Sequence, residues 1–511
     1  MEQAVTAQDP SSPTSSPALN PVANPSTPTT PSPPPSPDAD MFRPPVNRMM
    51  RMLDRSFFKK TVPLSAATVF ETKNISPIRQ QLLESKDLLK VNNIIPVRTA
   101  REGELENVVD HWYTGLKLPG RRCLLLQPSV KADDTATWSP TIQELVERKA
   151  VELRPFKLLL DYDYFTYKDI MEAVLPIEEL EELPVGFTQV GHVAHFNLRD
   201  EALPYKHLIG EVIKDKHPNI HTVINKTDEV GERSEFRTFT YEVLAGRDDM
   251  NVTIREQNCE FSFDYSQVYW NTRLGTEHER IVNRFKPGEA VCDVMAGVGP
   301  FSIPAGKKDV FVWANDLNPH GYERLTHAAH KNKVKDYVQT SNMDGREFIR
   351  YATKQLYSSR PKTVAKRVKI DPSKSSPRKK SQYFYINMTS PRTFDHYVMN
   401  LPATAIDFLG AFNGVYAGQE KLFHPNTNRK MPFIHVYCFS TNSEDLVVER
   451  EDICQRISKS LGYTITPEDY VGGKGDPRIE LEIRDVRIVS PTKLMFCASF
   501  RLPAEVAFKK A

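Results

Sequence analysis

The stretch Val291-Cys-Asp-Val-Met-Ala-Gly-Val-Gly-Pro-Phe301, followed by Val310-Phe-Val-Trp-Ala-Asn-Asp316, decides the architecture of this chain. A short apolar strand ends in Asp293, a turn follows with Gly297 and Gly299, and Pro300 is suited to open a helix. A second apolar strand closes on Asp316. This is the front half of a nucleotide-binding α/β unit. Glycines let the backbone come close to a ligand, and an acid after the second strand can accept both hydroxyls of a ribose. The pattern predicts a cofactor with an adenosine end.

A dinucleotide fingerprint reads G-x-G-x-x-G, with the pyrophosphate resting on a helix N-terminus. Here Ser302 holds the third glycine position, Pro300 and Pro304 crowd the first turn, and Pro300 removes a backbone donor that a phosphate would use. The pattern Asp-x-x-Ala-Gly-x-Gly-Pro-Phe instead resembles motif I of Rossmann-like S-adenosylmethionine methyltransferases. A structural Gly-rich turn in some other α/β domain is the competing reading of the same residues.

Working outward, the 511 residues suffice for two to four domains, and 40% hydrophobic residues suffice for sizeable cores. The net charge of +2 is too weak to identify a nucleic-acid binder, though a local basic face is compatible with it. The six cysteines, at 123, 259, 292, 438, 454 and 497, form no C-x-x-C pair. That fits a reducing compartment and predicts no metal site. No apolar run approaches the roughly 18 residues that span a bilayer, so no membrane association is expected.

Residues 1–40 are dominated by Pro, Ser, Thr and Ala, a composition expected to stay disordered. From Met41 the chain becomes Arg-rich, with Phe42, Arg43, Arg48, Arg51, Arg55, Lys59 and Lys60. With translation started at Met41 this would look like a mitochondrial presequence; read as folded sequence, it is the basic start of the first domain. The second reading is slightly favoured. An N-terminal α+β domain is expected over 41–185 and a small β-rich domain over 186–265, where Thr188–Leu198 alternates as a half-buried strand. His192 and His195 on that strand read as structural. The α/β domain follows over 266–511, interrupted by a basic, disordered insert at 354–393 that could touch RNA phosphates. The runs Ile479–Val489 and Leu494–Leu502 read as an antiparallel pair at the sheet edge.

Three constellations surround the cofactor turn. In Asn271-Thr-Arg-Leu-Gly-Thr-Glu-His-Glu-Arg280, Thr276 and Glu279 are spaced as a capping box. That puts Glu277 at the first helical position, either as a favourable acid in the helix dipole or as a proton acceptor aimed into the site. In Ser341-Asn-Met-Asp-Gly345, Asp344 is a candidate for the adenine amine or a simple turn residue. In Asn400-Leu-Pro402, directly after the strand Tyr397-Val-Met, an Asn side chain and a Pro-held carbonyl can accept hydrogen bonds from an amide-like base edge.

Taken together, Val268–Val282, the Ala-Gly-Val-Gly-Pro-Phe turn, Ala314-Asn-Asp-Leu-Asn-Pro319 and His396-Tyr-Val-Met-Asn-Leu-Pro402 resemble eukaryotic tRNA (guanine-N1)-methyltransferases acting at position 37. The resemblance extends to Gly191–Arg199 and covers nearly all of residues 41–505. It departs at Met295, where Phe is usual, and at Thr272, where Pro or Ser is usual. It implies a Rossmann-like class I methyltransferase domain using S-adenosylmethionine, preceded by the β-rich domain and by an N-terminal domain that recognises tRNA shape. Glu277 would be the general base, Arg237 would face the guanine O6, and Asn400 and Pro402 would hold the base edge. His278, Asp316, Leu317, Asp344 and Gly345, with Asp293, Gly297, Gly299 and Asn400, would form the cofactor site. The partner would be tRNA, through anticodon loop and body, bound by a monomer in cytoplasm and nucleus, with a mitochondrial matrix form.

The nearest rival is a wybutosine-pathway aminocarboxypropyl transferase, whose strand-end motif tends to read Asn-Leu-Gly; Pro402 favours methyl transfer. A catalytically silent tRNA-binding protein is disfavoured by Glu277, Asp316 and Asn400. A nicotinamide oxidoreductase is disfavoured by the missing third glycine.

Overall fold

The computed structural model describes residues 40–101, 103–105, 122–176, 178, 180, 182–227, 236, 238–369, 383–440, 445–490 and 493–510. The Pro-rich tail lies outside them up to residue 39, as do Arg237 and the segment 370–382. The chain divides into two units, one of residues 1–45 with 58–164, the other of residues 46–57 with 165–511.

The first unit is an α+β layer. Strand β1 (Lys60–Val69) pairs antiparallel with β3 (Arg122–Leu125) and β4 (Val151–Leu160), and β2 (Val97–Thr99) lies beyond β3. Helices α1 (Ile75–Glu84) and α2 (Pro140–Glu147) cover one face. Ile78, Leu82, Ile142 and Leu145 recur at helical spacing and meet Ala67, Val69 and Leu124 from the strands. Ser139 caps α2 through the Ile142 amide, and Pro140 takes the first helical position.

The second unit begins earlier than the expected division at 185/186. Helix α3 (Tyr167–Val174), closed by a Thr166–Asp169 capping box, already belongs to it. Thr188–Leu198 is not one strand but two, β5 (Thr188–Val190) and β6 (Val193–Phe196). They fold back at Gly191, whose φ of +58° suits glycine. Helix α4 (Lys206–Lys216) joins β6 to its parallel neighbour β7 (Thr222–Lys226), and β8 (Tyr241–Gly246) closes the four-stranded sheet. Segment 46–57 packs here: Arg48 donates to the Leu175 carbonyl, Arg51 covers the Tyr205 ring, and Arg55 pairs with Asp215.

The hairpin β9 (Asn251–Glu256)–β10 (Cys259–Asp264) shares its core with the α/β layer, because Val252, Phe261 and Phe263 pack in one cluster with Val291, Val312 and Leu325. The same cluster takes in Val190, Val193 and Ile224 of the four-stranded sheet, so no division falls at 265/266 within the second unit. The main sheet has seven strands in the order β13-β12-β11-β16-β17-β19-β18. Strands β11 (Ala290–Asp293), β12 (Phe311–Asn315), β13 (Val338–Ser341), β16 (His396–Met399) and β17 (Phe433–Phe439) run parallel. As expected from sequence, β18 (Glu482–Ser490) and β19 (Lys493–Arg501) form an antiparallel pair at the edge.

Helices α5 (Gly275–Val282), α6 (Ser302–Lys307), α7 (Pro319–Lys331), α8 (Gly345–Ser358) and α9 (Leu446–Leu461) complete the layers. The strands read as continuous apolar runs because both faces are covered. Where the structure describes it, at 354–369 and 383–393, the insert expected as disordered over 354–393 holds regular elements. Its first residues finish α8, and β14 (Thr363–Lys369) pairs antiparallel with β15 (Tyr383–Thr389). The β-branched and aromatic residues of Thr363-Val-Ala and Tyr383-Phe-Tyr-Ile favour a strand ladder despite the surrounding Lys and Arg.

Candidate active site

The cofactor turn leaves β11 at Asp293 and bends through Gly297 (φ +56°) and Gly299 (φ +95°), with α6 starting at Ser302. At Gly299 a β-carbon would come within 2.6 Å of Leu325 Cδ1, so only glycine lets α7 pack this closely on the turn. The Asp316 carboxylate, at the end of β12, accepts the Gly297 N–H through Oδ2 at 2.7 Å and the Asn318 N–H through Oδ1 at 2.9 Å. Burial pushes its pKa above the ordinary aspartate value, partly offset by those two amides. Each oxygen keeps a further acceptor site, which is what a ribose diol needs.

Seven of the expected residues meet in one cavity at the carboxyl ends of the parallel strands. Gly297, Asp316 and Leu317 line it from the first two loops, and Asp344 and Gly345 from the third. Asn400 lines it from the end of β16, and His278 from α5. Asp344 is the N-cap of α8, its Oδ1 accepting the Arg346 and Glu347 amides. Gly345 packs tightly, since a β-carbon there would lie 3.1 Å from both Val294 and Phe408. His278 is oriented by Glu256 Oε1, 2.7 Å from its Nδ1, and by the edge of the Phe301 ring.

Four expected residues do not line this cavity. Asp293 is fully buried beneath the turn, where Oδ2 accepts the Ser302 hydroxyl at 2.6 Å. Burial pushes its carboxyl up to about 7, and its Oδ1 has no hydrogen-bond partner among the described residues. Its place is to brace the turn. Gly299 serves packing, as above. Pro402 also stands off the cavity: its carbonyl accepts Phe439 N–H at 3.2 Å, and the preceding Leu401 carbonyl accepts Thr404 and Ala405 amides. The Pro-held carbonyl expected to grip a base is therefore engaged in the fold.

The fourth is Glu277. The capping box does not form: Asn271 caps a 3-10 turn over Thr272–Leu274 that winds into α5, so Leu274 is the N-cap and Glu277 the third helical residue. Its buried carboxylate faces the sheet. Arg280 donates to both oxygens at 2.7 Å, and the Tyr437 hydroxyl to Oε1 at 2.7 Å. The bond to Glu277 raises the Arg280 pKa, keeping the guanidinium charged. Tyr437 follows Val436, which pairs with Met399, the residue before Asn400. Glu277 thus sits beside the strand ends from which Asn400 enters the cavity, one residue from cavity-lining His278.

Sequence reasoning missed Asn315, Trp270 and Phe408, all lining the cavity. Asn315 ties three loops together, donating to the carbonyls of Val294 and Met343 and accepting the Met343 amide. The Asn-Asp pair at the strand end was the available signal for it. Phe408 comes from a 3-10 helix far along the chain, with no local mark. His195, expected to be structural, meets the Tyr265 hydroxyl through Nδ1 at 3.0 Å, and burial pushes its pKa down to about 3.

The TYW2 N-terminal domain family matches residues 167–249, and the TRM5/TYW2 methyltransferase domain family matches residues 252–361. Fold and site thus define a Rossmann-like methyltransferase of the TRM5/TYW2 class. The chain is 64% identical over 481 residues to the tRNA (guanine(37)-N(1))-methyltransferase of Ajellomyces capsulatus, covering 93% of each chain. It is 43% identical over 473 residues to the protein of that name in Schizosaccharomyces pombe, covering 90% of this chain and 96% of the relative. The chain belongs to the tRNA (guanine(37)-N(1))-methyltransferase family. The crystal structure of Trm5b from Pyrococcus abyssi shares the fold at 21% identity and a TM-score of 0.51, over 85% of this chain and 98% of that one. A complex of aTrm5 with tRNALeu aligns over 86% of this chain and 100% of that one, with a TM-score of 0.52 and 18% identity.

Proposed function

We infer that this protein transfers the methyl group of S-adenosylmethionine to N1 of guanosine at position 37 of tRNA. The observation that carries the reading is the convergence of Gly297, Asp316, Asp344 and Asn400 on one cavity, in a chain that matches enzymes of that name almost end to end.

The residues present fit the cofactor. Asp316 offers two carboxylate oxygens at a strand end for a ribose, the glycine turn leaves room for close backbone approach, and Asp344 stands at the third loop to accept an amine. When bound, the sulfonium supplies an electrophilic methyl carbon. The protein's own task is to position the base and remove its proton. Guanine N1 carries a hydrogen at neutral pH and is a poor nucleophile until that hydrogen leaves. Glu277 accepts it, Asn400 holds the base edge from the end of β16, and Arg237 offsets the charge that develops at O6. Position 37 lies in a stacked loop, so the base is turned out to enter the cavity.

The protein acts as a monomer away from membranes; among the described residues no helix is long and apolar enough to cross one. It works in cytoplasm and nucleus, with a mitochondrial matrix form.

The test is incubation with methyl-labelled cofactor and tRNA transcripts carrying guanosine or adenosine at position 37. Labelled 1-methylguanosine is expected from the first alone. Label on another base, or an aminocarboxypropyl product, would overturn the assignment.

A further inference from the structure

The charged lining of the cavity is one-sided. Asp316 and Asp344 line it from the second and third loops, yet among the described residues no lysine or arginine does, and His278 is its one basic side chain. Arg237 lies outside the described residues and serves the base in the reading above. A cofactor with its adenine at Asp344 and its ribose at Asp316 directs its other end toward Gly297, Asn400 and His278, on the β11 and β16 side of the sheet. That end of S-adenosylmethionine carries a carboxylate, which needs hydrogen-bond donors once it leaves water. The glycine turn has few of them free. The Ala296, Gly297 and Gly299 amides already donate to the Asn315 carbonyl, the Asp316 carboxylate and the Ala296 carbonyl, and Pro300 has no N–H.

His278 is held from the β9–β10 hairpin. Its Nδ1 lies 2.7 Å from Glu256 Oε1, and its side chain is 4% exposed. Glu256 is the last residue of β9, and the two that follow, Gln257 and Asn258, have φ of +47° and +59°. Positive φ at both positions makes the tight two-residue turn that closes a hairpin, so the turn sets where Glu256 stands. Two ties pin the hairpin to the α/β layer. Asn332, after α7, accepts the Glu260 amide at 2.9 Å and donates to the Glu260 carbonyl at 2.7 Å, and Lys307 on α6 donates to the Asn258 carbonyl. Gly275, one turn before His278 in α5, leaves room for the acid: a β-carbon there would stand 3.2 Å from Glu256 Oε2. The Phe301 ring packs edge-on against the imidazole at 4.8 Å between centroids.

We propose that Glu256 is a positioning residue that keeps His278 Nε2 a hydrogen-bond donor, and that this donor binds the carboxylate at the methionine end of S-adenosylmethionine; the inference rests on the cavity being the cofactor site. Nε2 is the ring nitrogen that Glu256 leaves free, and it has no hydrogen-bond partner among the described residues. While imidazole and carboxylate hold two hydrogens between them, one fills the Nδ1–Oε1 contact and the other sits on Nε2, whichever partner owns the first. When one hydrogen is lost, the carboxylate retains the other at Nδ1, and Nε2 turns a lone pair toward the ligand, which repels an anion. Other charged groups on the surrounding elements are engaged. Lys307 on α6 bonds the Asn258 carbonyl, Glu277 and Arg280 on α5 bond each other, Arg255 and Glu260 pair across the hairpin, and Asp316 across the cavity holds two backbone amides. Asp293 lies beneath the turn, bonded to Ser302.

The test is titration calorimetry on the full-length protein with S-adenosylmethionine and with its decarboxylated analogue, which keeps the amine and the adenosine and lacks only the carboxylate. The wild type should bind the analogue about 10- to 100-fold more weakly at neutral pH, the usual contribution of one hydrogen bond to a charged group. Glu256→Gln removes the acid that holds the second hydrogen, so affinity for S-adenosylmethionine should fall about tenfold while that for the analogue stays unchanged. At about pH 6, below the ordinary imidazole value of about 6.5, protons from solution keep His278 charged and the loss should shrink. A merely structural defect would weaken both ligands and would not be recovered by acid. His278→Gln should weaken S-adenosylmethionine alone, at least as much, and Glu256→Gln should add nothing to it. That variant carries the test should Glu256→Gln fold poorly. A loss shared by both ligands, no loss, or a loss undiminished at low pH would overturn the inference. A wild type that binds neither ligand would instead sink the reading of the cavity as the cofactor site.

Discussion

The Asp316 carboxylate holds the Gly297 backbone amide at 2.7 Å, joining the end of the second strand to the turn after the first. One acid therefore shapes the glycine turn and faces the cavity, so a single substitution acts on both. Asp316→Asn keeps the volume but removes the charge and turns a donor toward Gly297 N–H or the ribose. Loss of a hydrogen bond to a charged group costs about 1.5–3 kcal/mol, or roughly 10- to 100-fold in cofactor affinity. Titration calorimetry with the cofactor checks this; unchanged affinity would mean that the ribose is held elsewhere.

Gly299 adopts φ +95° against Leu325 and Ile303. Gly299→Ala combines backbone strain with a clash and should lower unfolding stability by about 1–3 kcal/mol. It should also weaken cofactor binding, because α7 is pushed from the turn. Denaturant unfolding of the variant beside the wild type reads the first effect, and cofactor titration the second.

Asp293 gives a pH signature. Its carboxyl moves from 3.8 in the unfolded chain to about 7 when buried under the turn. The folded state therefore binds the proton more tightly. This contribution is fully present below pH 3.8 and is lost as pH rises through about 7. At 1.36 kcal/mol per unit, the full loss is on the order of 4 kcal/mol. Asp293→Asn keeps an acceptor for Ser302 and cannot ionise. Between pH 4 and pH 8 the variant should gain stability relative to the wild type, as measured by urea unfolding at both ends. Parallel profiles would show that Asp293 is ionised throughout.

Much of this was legible in the sequence because it is local. Strand, glycine turn, strand and acid occupy consecutive residues, and strand-end positions such as Asn400 point to the ligand edge by topology alone. What sequence hid is tertiary. Thr276 and Glu279 satisfy a capping pattern, yet Asn271 starts the winding one turn earlier. The carboxylate of Glu277 is set by Tyr437, 160 positions away. The basic composition of 354–393 masked two strands whose own residues favour a ladder.

The central claim is that Glu277 removes the N1 hydrogen, and the most direct measurement is the single-turnover rate of Glu277→Gln on a guanosine-37 transcript. Glutamine keeps the shape and acceptor oxygen but cannot hold the proton. The account predicts a fall of about 10²- to 10⁴-fold, the usual contribution of a positioned base, with cofactor and tRNA affinities unchanged. A variant that transfers methyl to N1 within twofold of the wild-type rate would contradict it.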